Sequence, residues 1–317
     1  MTSYILRRLL ISILTLFIIS IFAFAILHIM SGDPVIIALG EGALQEDIDM
    51  YRSMLNLDKP LVLQYILWIK GILLHGDFGY SIMYDTNIGP LLAEKLPVTM
   101  AIGIPICLLA IIFGIFFGVV SAVKRGTWID QVVSLFANIG IATPQFWIAI
   151  IGMLVLARTF NIFPLQGYVS PSENFIQYLY YGFMPIVFGS LGFISTIARQ
   201  TRSNMLEVIN QDYIRTARAN GLPERKIIYK YALKNALIPV ITIVGLQVRT
   251  IVGGSVVIER IFNIPGIGRL LMLAISNRDY FIVQACVLVT SSVTVFANFI
   301  VDICYGIVDP RIRKNWN

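Results

Sequence analysis

The residues best placed to do chemistry are polar groups set into apolar runs. Gln247 and Arg249 lie two apart in the stretch from Ala236 to Ile258, and a guanidinium there costs at least ~3 kcal/mol unless it faces water, protein or an interface. One reading sets both along a passage, where they meet substrate carboxylates. The other ends the fifth span near Gly253-Gly254 and lets Arg249 reach outward to the interface. Asn298 and Asp302 are four apart, so they share a helix face that suits the bundle interior, although Asp302 also suits pairing with a base such as Arg311.

Other chemistries lack their residues. Cys107, Cys286 and Cys304 sit singly in apolar blocks, without the spacing of a disulfide framework or a zinc site. His28 and His75 are the only histidines, too few for a histidine-rich metal site or proton relay. No Gly-x-x-x-x-Gly-Lys-Ser/Thr phosphate loop occurs, so any ATP hydrolysis belongs to another chain. No catalytic residue, metal site or cofactor is assigned.

The elements that must carry these groups are membrane spans. Hydrophobic residues make up 57% of the chain and charged ones 13%, against about 25% charged in a soluble domain. Apolar blocks long enough to cross the bilayer run from about Leu9 to Met30, Thr99 to Val123, Val132 to Leu156, Phe183 to Ala198, Ala236 to Ile258 and Phe281 to Val308. The fold class is all-α, a polytopic membrane protein of about six helices. The basic front of the first block resembles a signal peptide, but its apolar run is too long and no small-residue cleavage site follows. Pro144 interrupts the third block, with Gly140 and Gly152 nearby, and predicts a kink.

Charge sets the expected topology. Arg7, Arg8, Lys124, Arg125, the cluster from Arg199 to Lys234, and Arg311, Arg313 and Lys314 all fall on one side, which the positive-inside rule assigns to the cytoplasm with both termini. The formal charge of +6 therefore reflects membrane orientation and anionic lipid, not nucleic acid. Three regions follow: residues 1–30 with the first helix, an acidic extracytoplasmic cap over 31–97, and a core of five spans over 98–317. Within the cap, Ile48 to Leu55 and Leu61 to Leu74 have the spacing of amphipathic helices around an Asp58-Lys59-Pro60 turn.

The polar stretch 199–235 carries the strongest local signals. Asp212 suits the cap of a short helix Tyr213 to Asn220, Gly221 its stop, and Pro223 the first turn of the next helix. Ala217 and Gly221 share a face near Ile214, flanked by Arg215 and Arg218. Such a helix suits a groove in another protein, and equally the lipid headgroups.

Asp212-Tyr213-Ile214-Arg215-Thr216-Ala217-Arg218-Ala219-Asn220-Gly221-Leu222, followed by Ala232-Leu233-Lys234-Asn235-Ala236-Leu237-Ile238-Pro239, resembles the coupling loop of ABC importer permeases. Of that family's Glu-Ala-Ala-and-glycine motif only Ala217 and Gly221 match literally. Arg215 and Thr216 resemble the variant of the dipeptide, oligopeptide and nickel branch. Further stations lie at Ser31-Gly32-Asp33-Pro34, Leu57-Asp58-Lys59-Pro60-Leu61, Gly76-Asp77-Phe78-Gly79-Tyr80-Ser81, Pro144-Gln145-Phe146-Trp147, Ile264-Pro265-Gly266-Ile267-Gly268 and Asp309-Pro310-Arg311. The long segment after the first span resembles the first, B-type, of two permease subunits.

The resemblance implies a type I ABC importer permease fold in a bacterial inner membrane. It implies a heterodimer with a sister permease, two cytoplasmic ATPase subunits that hold ATP and Mg, and an extracytoplasmic binding protein that sets most of the cargo selectivity. Asp212, Tyr213, Arg215, Thr216, Ala217, Arg218 and Gly221 would then couple the ATPases to the spans, and Pro265, Gly266 and Gly268 would form a gate or scoop. The cargo expected is a peptide, with a nickel or metal chelate as the alternative within the family. An ion-driven transporter would usually carry more intramembrane carboxylates than Asp302. A receptor or scaffold whose cap binds ligand is the remaining reading.

Overall fold

The computed structural model describes the backbone of residues 2–29, 32–40 and 42–308, and side chains there except those of residues 2, 249–255, 305, 307 and 308. The terminal Asp309-Pro310-Arg311 station, the bases Arg311, Arg313 and Lys314, and Ser31 lie outside the described residues. Among the described residues, five helices are long and apolar enough to cross a membrane, and a sixth span forms if one bent pair is counted together.

The first and last spans are legible as unbroken apolar runs: α1 covers Thr2–Ile29 and the final helix Tyr280–Val308. Between them the cap holds three helices, α2 (Pro34–Leu39), α3 (Gln45–Met54) and α4 (Leu61–His75), then the short antiparallel strands β1 (Tyr80–Ser81) and β2 (Thr86–Asn87). The two helices expected in the cap are α3 and α4. The additional α2 begins where Asp33 accepts hydrogen bonds from Val35 N and Ile36 N, with Pro34 in the first turn. Arg52 grips the same carboxylate at 2.6 Å. Burial opposes ionisation of Asp33, but that guanidinium and the two N–H groups outweigh it and hold the carboxyl below its usual range.

The second span, α5 (Ile88–Val123), starts well before the expected Thr99 and runs through Pro97 and Pro105. Its early turns are helical because Ile88 and Leu92 are buried against the helix that follows the fifth span and against the last span. The third span divides into α6 (Trp128–Ala142) and α7 (Gln145–Met153), the latter continued by a π-helical turn Leu154–Thr159, with a bend of 106° between them. Pro144 supplies no N–H and drives Thr143 into extended backbone at ψ 130°, so the expected kink is a full corner. The fourth span, α8 (Phe175–Ile209), continues past the expected end at Ala198, because Thr201, Asn204 and Met205 on its polar extension are buried against the chain.

Beyond it lie α9 (Asp212–Ala219), a turn α10 (Glu224–Lys226), a π-helical segment Ile227–Ala232, α11 (Leu233–Ile261), α12 (Ile267–Asn277) and α13 (Tyr280–Val308). The core sits where α5, α8 and α11 meet, around Ile102, Ile106, Met184, Ile197, Val240 and Ile258. At the α5–α8 crossing a Cβ on Gly118 would stand 2.6 Å from the Ala198 carbonyl oxygen, so glycine permits the contact.

The cap is tied to the last span by a buried bond from Ser81 Oγ to Asp279 Oδ2 at 2.5 Å, just ahead of α13. Burial pushes the Asp279 carboxyl above its ordinary range, although Ser81 and two backbone N–H groups pull it back. A raised acid favours its protonated form in the folded state. Its stabilisation is therefore complete below the ordinary aspartate range and fades as pH rises through the raised value. The protection factors of the amides in residues 80–87, with intrinsic exchange divided out, should accordingly rise on acidification. Asp279→Asn, a permanently neutral near-isostere, should flatten that dependence; an unchanged pH profile in the variant would exclude Asp279 as its origin.

Candidate functional site

Helix α5 runs from the cap end to the opposite end of the bundle, about 54 Å at helical rise. There Val119 and Ala122 pack on Met205, Ile214, Ala217 and Ile227. The elbow formed by α8, α9 and α11 thus sits opposite the cap. The start of α1 and the end of α13 lie at the same end, joined by Arg8 Nη1 and Asp302 Oδ2 at 3.1 Å. Asp302 ties the first and last spans through Arg8, while Arg311, the base expected for it, lies outside the described residues.

Within the elbow, Asp212 is the first helical residue and Gln211 stands at the cap position, so Asp212 does not cap with its side chain. Its carboxylate lies 3.5 Å from Arg215 instead. Gly221 stops the helix as expected: at φ +73° it lets Leu222 N reach the Ala217 carbonyl at 3.3 Å, while Gly221 N reaches Arg218 O at 2.9 Å. Arg218 grips Glu224 through Nη2 at 2.6 Å and Nε at 3.1 Å, closing the turn. Tyr213 accepts a bond from Asn235 Nδ2 at 2.9 Å, which fixes the front of α9 to α11.

The small-residue face has a different use from the one expected. Ile214 and Ala217 are buried within the chain, so that face seats α9 on α5, α8 and the π-helical segment. The surface left for a partner carries Tyr213, Arg215, Thr216, Ala219 and Asn220, all exposed. A rigid, basic helix end held on two spans can take a push from outside and deliver it to both.

The anchor beneath the elbow is Asp130, which sequence reading passed over. It is 5% exposed and accepts from Arg202 Nε at 2.7 Å, Arg202 Nη2 at 2.9 Å, Ser121 Oγ at 2.6 Å and Gly126 N at 3.0 Å. One carboxylate so joins α5, the α5–α6 turn, α6 and α8.

Of the passage candidates, Gln247 is half-buried on α11 and Asn298 half-buried on α13. The side chain of Arg249 lies outside the described residues, and the backbone of α11 continues through Gly253-Gly254 to Ile261.

Pro265, Gly266 and Gly268 form the corner between α11 and α12 at the cap end, around a second acid that sequence reading missed. Glu259, 0% exposed, accepts from Thr99 Oγ1 at 2.8 Å and Arg269 N at 3.0 Å, while Ile267 N donates to Thr99 Oγ1 at 2.8 Å. A Cβ on Gly266 would meet Glu259 Oε2 at 2.5 Å, and one on Gly268 would meet Val256 Cα at 2.6 Å. These glycines permit a close approach within the chain.

Residues 114–314 match the family described as binding-protein-dependent transport system inner membrane component, and residues 1–103 match the N-terminal family of such membrane components. A putative peptide transport system permease protein of Brucella abortus is 39% identical over 313 residues, 99% of each chain. The oligopeptide transport system permease protein AppB of Bacillus subtilis is 38% identical, covering 99% of this chain and 100% of that one. The dipeptide transport system permease protein DppB of Escherichia coli is 37% identical, covering 99% of both. Among solved structures, an inward-facing form of the MetNI methionine ABC transporter matches with a TM-score of 0.56 at 20% identity, over 69% of this chain and 96% of that one. That likeness establishes the fold, a type I ABC importer permease.

Proposed function

This chain belongs to the family of binding-protein-dependent transport inner membrane components, and from that premise we propose that it is a channel-forming subunit of an ATP-driven peptide importer. Peptide cargo is favoured over a nickel chelate by the three peptide-named relatives. In this reading a related sister permease completes the channel, a separate binding protein delivers peptide at the cap end, and two ATPase subunits hydrolyse ATP at the other. The basic elbow and both chain ends then face the cytoplasm.

The observation that carries the reading is the exposed face of α9, braced on α5 and α8. Closure of the ATPases on ATP moves that face, and the move biases the spans between two packings. A ligand shifts such an equilibrium only through differential affinity, so loaded binding protein and ATP must each favour one packing. The gate at Pro265, Gly266 and Gly268 and the passage residues Gln247, Arg249 and Asn298 complete the proposed route.

The test is uptake of labelled di- and oligopeptides by the reconstituted complex, with ATP inside or outside the vesicle and with vanadate. Uptake should require ATP on the elbow side and stop with vanadate. A photo-crosslinker at Thr216, which is exposed, should capture the ATPase subunit, whereas one at Ala217 should react within the chain. Gradient-driven uptake without ATP would overturn the proposal. Arg249→Ala should lower uptake without lowering assembly if that side chain meets cargo, and normal transport would remove it from the route.

A further inference from the structure

At the cap end a cavity of roughly 170 Å³ opens between α1, α4 and α13, remote from the elbow. Gln284 of α13 lines it, is 3% exposed, and makes no hydrogen bond to any described residue. Its amide lines the cavity and is not sealed inside the fold, so an entering ligand can bond it without breaking an internal hydrogen bond. Gln64, on the α4 wall, is the contrast: its amide is spent on His28 and on the carbonyls of Leu57 and Lys59.

The rest of the lining indicates what enters. It includes no lysine, arginine or histidine, and its one carboxylate is Asp77. Asp77 accepts from Gly79 N through Oδ1, leaving its second oxygen without a partner among the described residues. Trp68, Tyr80 and Phe281 line the same space. A carboxylate, a free amide oxygen and aromatic rings together suit an ammonium group that can both donate hydrogen bonds and lie against a ring. The walls supply the remainder of the ligand's character. Phe22 and Ile29 of α1, and Ile66, Leu73 and Leu74 of α4, are exposed apolar side chains on the helices that form the cavity. Exposed apolar flanks of this kind suit acyl chains.

We propose that this cavity holds the ammonium headgroup of phosphatidylethanolamine from the leaflet at the cap end. The headgroup donates to Asp77 and Gln284, and its acyl chains lie along the exposed flanks of α1 and α4. Phosphatidylcholine carries no N–H to donate, and phosphatidylglycerol brings a negative charge without a cation opposite Asp77. Both should bind more weakly.

The assembled transporter, reconstituted in bilayers of phosphatidylcholine mixed with equal phosphatidylethanolamine or phosphatidylglycerol and then stripped with mild detergent, should retain phosphatidylethanolamine preferentially by mass spectrometry. Asp77→Asn, at an exposed position that tolerates the change, should reduce that retention on the order of tenfold, the worth of one charge-assisted hydrogen bond. Gln284→Leu should reduce it as well. Equal retention of the three lipids, preference for phosphatidylglycerol, or unchanged retention in Asp77→Asn would overturn the proposal. So would displacement of the bound lipid by soluble phosphoethanolamine or a dipeptide, because the site would then recognise an amine without needing a lipid.

Discussion

Asp130→Ala is expected to disconnect the elbow from the spans, lowering peptide uptake much more than ATP hydrolysis. The carboxylate accepts both Arg202 bonds, the Ser121 hydroxyl and the Gly126 amide, with a further contact to Ser134 Oγ at 3.3 Å. Its removal strands a guanidinium whose side chain is 30% exposed. Breaking a buried pair in this way costs about 3–5 kcal/mol, discounted here toward the lower figure because Arg202 is partly solvated. Asp130→Asn keeps the shape and part of the bonding, so its effect should be smaller. Replacing both partners, Asp130→Ala with Arg202→Met, removes the stranded charge and should recover thermal stability relative to Asp130→Ala. Uptake should stay low in the double variant, because the link between α6 and α8 is still missing. Thermal midpoints and the ratio of peptide moved to ATP consumed, measured across the four proteins, separate those outcomes. Wild-type coupling in Asp130→Ala would remove the clamp from the mechanism.

How far the sequence reveals such parts depends on whether the interaction is local. The runs that became α1 and α13 can be read directly, because solvation by lipid acts on each residue without reference to the rest of the chain. The Gly221 stop is equally local, since only the backbone there must enter the left-handed region. Pro97 read as a boundary, yet α5 passes through it because Ile88 and Leu92 find partners in α12 and α13. The polar turns after Ala198 read as loop, but Thr201 and Met205 face buried surface supplied by α5 and the elbow. The resemblance gives Pro265, Gly266 and Gly268 as a gate or scoop but does not reveal helix α12, whose first-turn amides are satisfied by side chains outside its own segment.

The two missed acids make the same case. Asp130 meets Arg202 at a separation of 72 residues, and Glu259 meets Thr99 at 160. Neither spacing leaves a periodic trace. Their signal was an acid in or beside an apolar run, which marks a buried partner without naming it. Arg249 carries that signal inside an expected span, whereas Glu259 stands one residue past the expected end of the fifth span.

Glu259→Leu should therefore damage the cap-end corner as severely as Asp130→Ala damages the elbow. Two buried donors lose their acceptor, the Thr99 hydroxyl and Arg269 N. At about 1–3 kcal/mol for each orphaned donor, the loss comes to about 4 kcal/mol. The acid also acts on α12 as a helix cap supplied from another helix. Gly266 occupies the cap position without a side chain, and Glu259 and Thr99 take the first-turn amides in its place. Glu259→Gln discriminates between a need for charge and a need for acceptors. With its carbonyl toward Arg269 N, glutamine satisfies that amide, but its NH₂ is a donor and cannot accept from the Thr99 hydroxyl, so it should restore only part of the thermal stability that leucine loses. Gly268→Ala should act from the other side, since its methyl would meet the backbone of Val256 at 2.6 Å and force α12 off α11. If the corner is a moving gate, Glu259→Gln should fold normally yet alter how loaded binding protein stimulates ATP hydrolysis, because the strength of this bond sets the balance between two packings. Normal stimulation in Glu259→Gln, with loss of folding in Glu259→Leu and Gly268→Ala, would make the corner a fixed support and place the gate elsewhere.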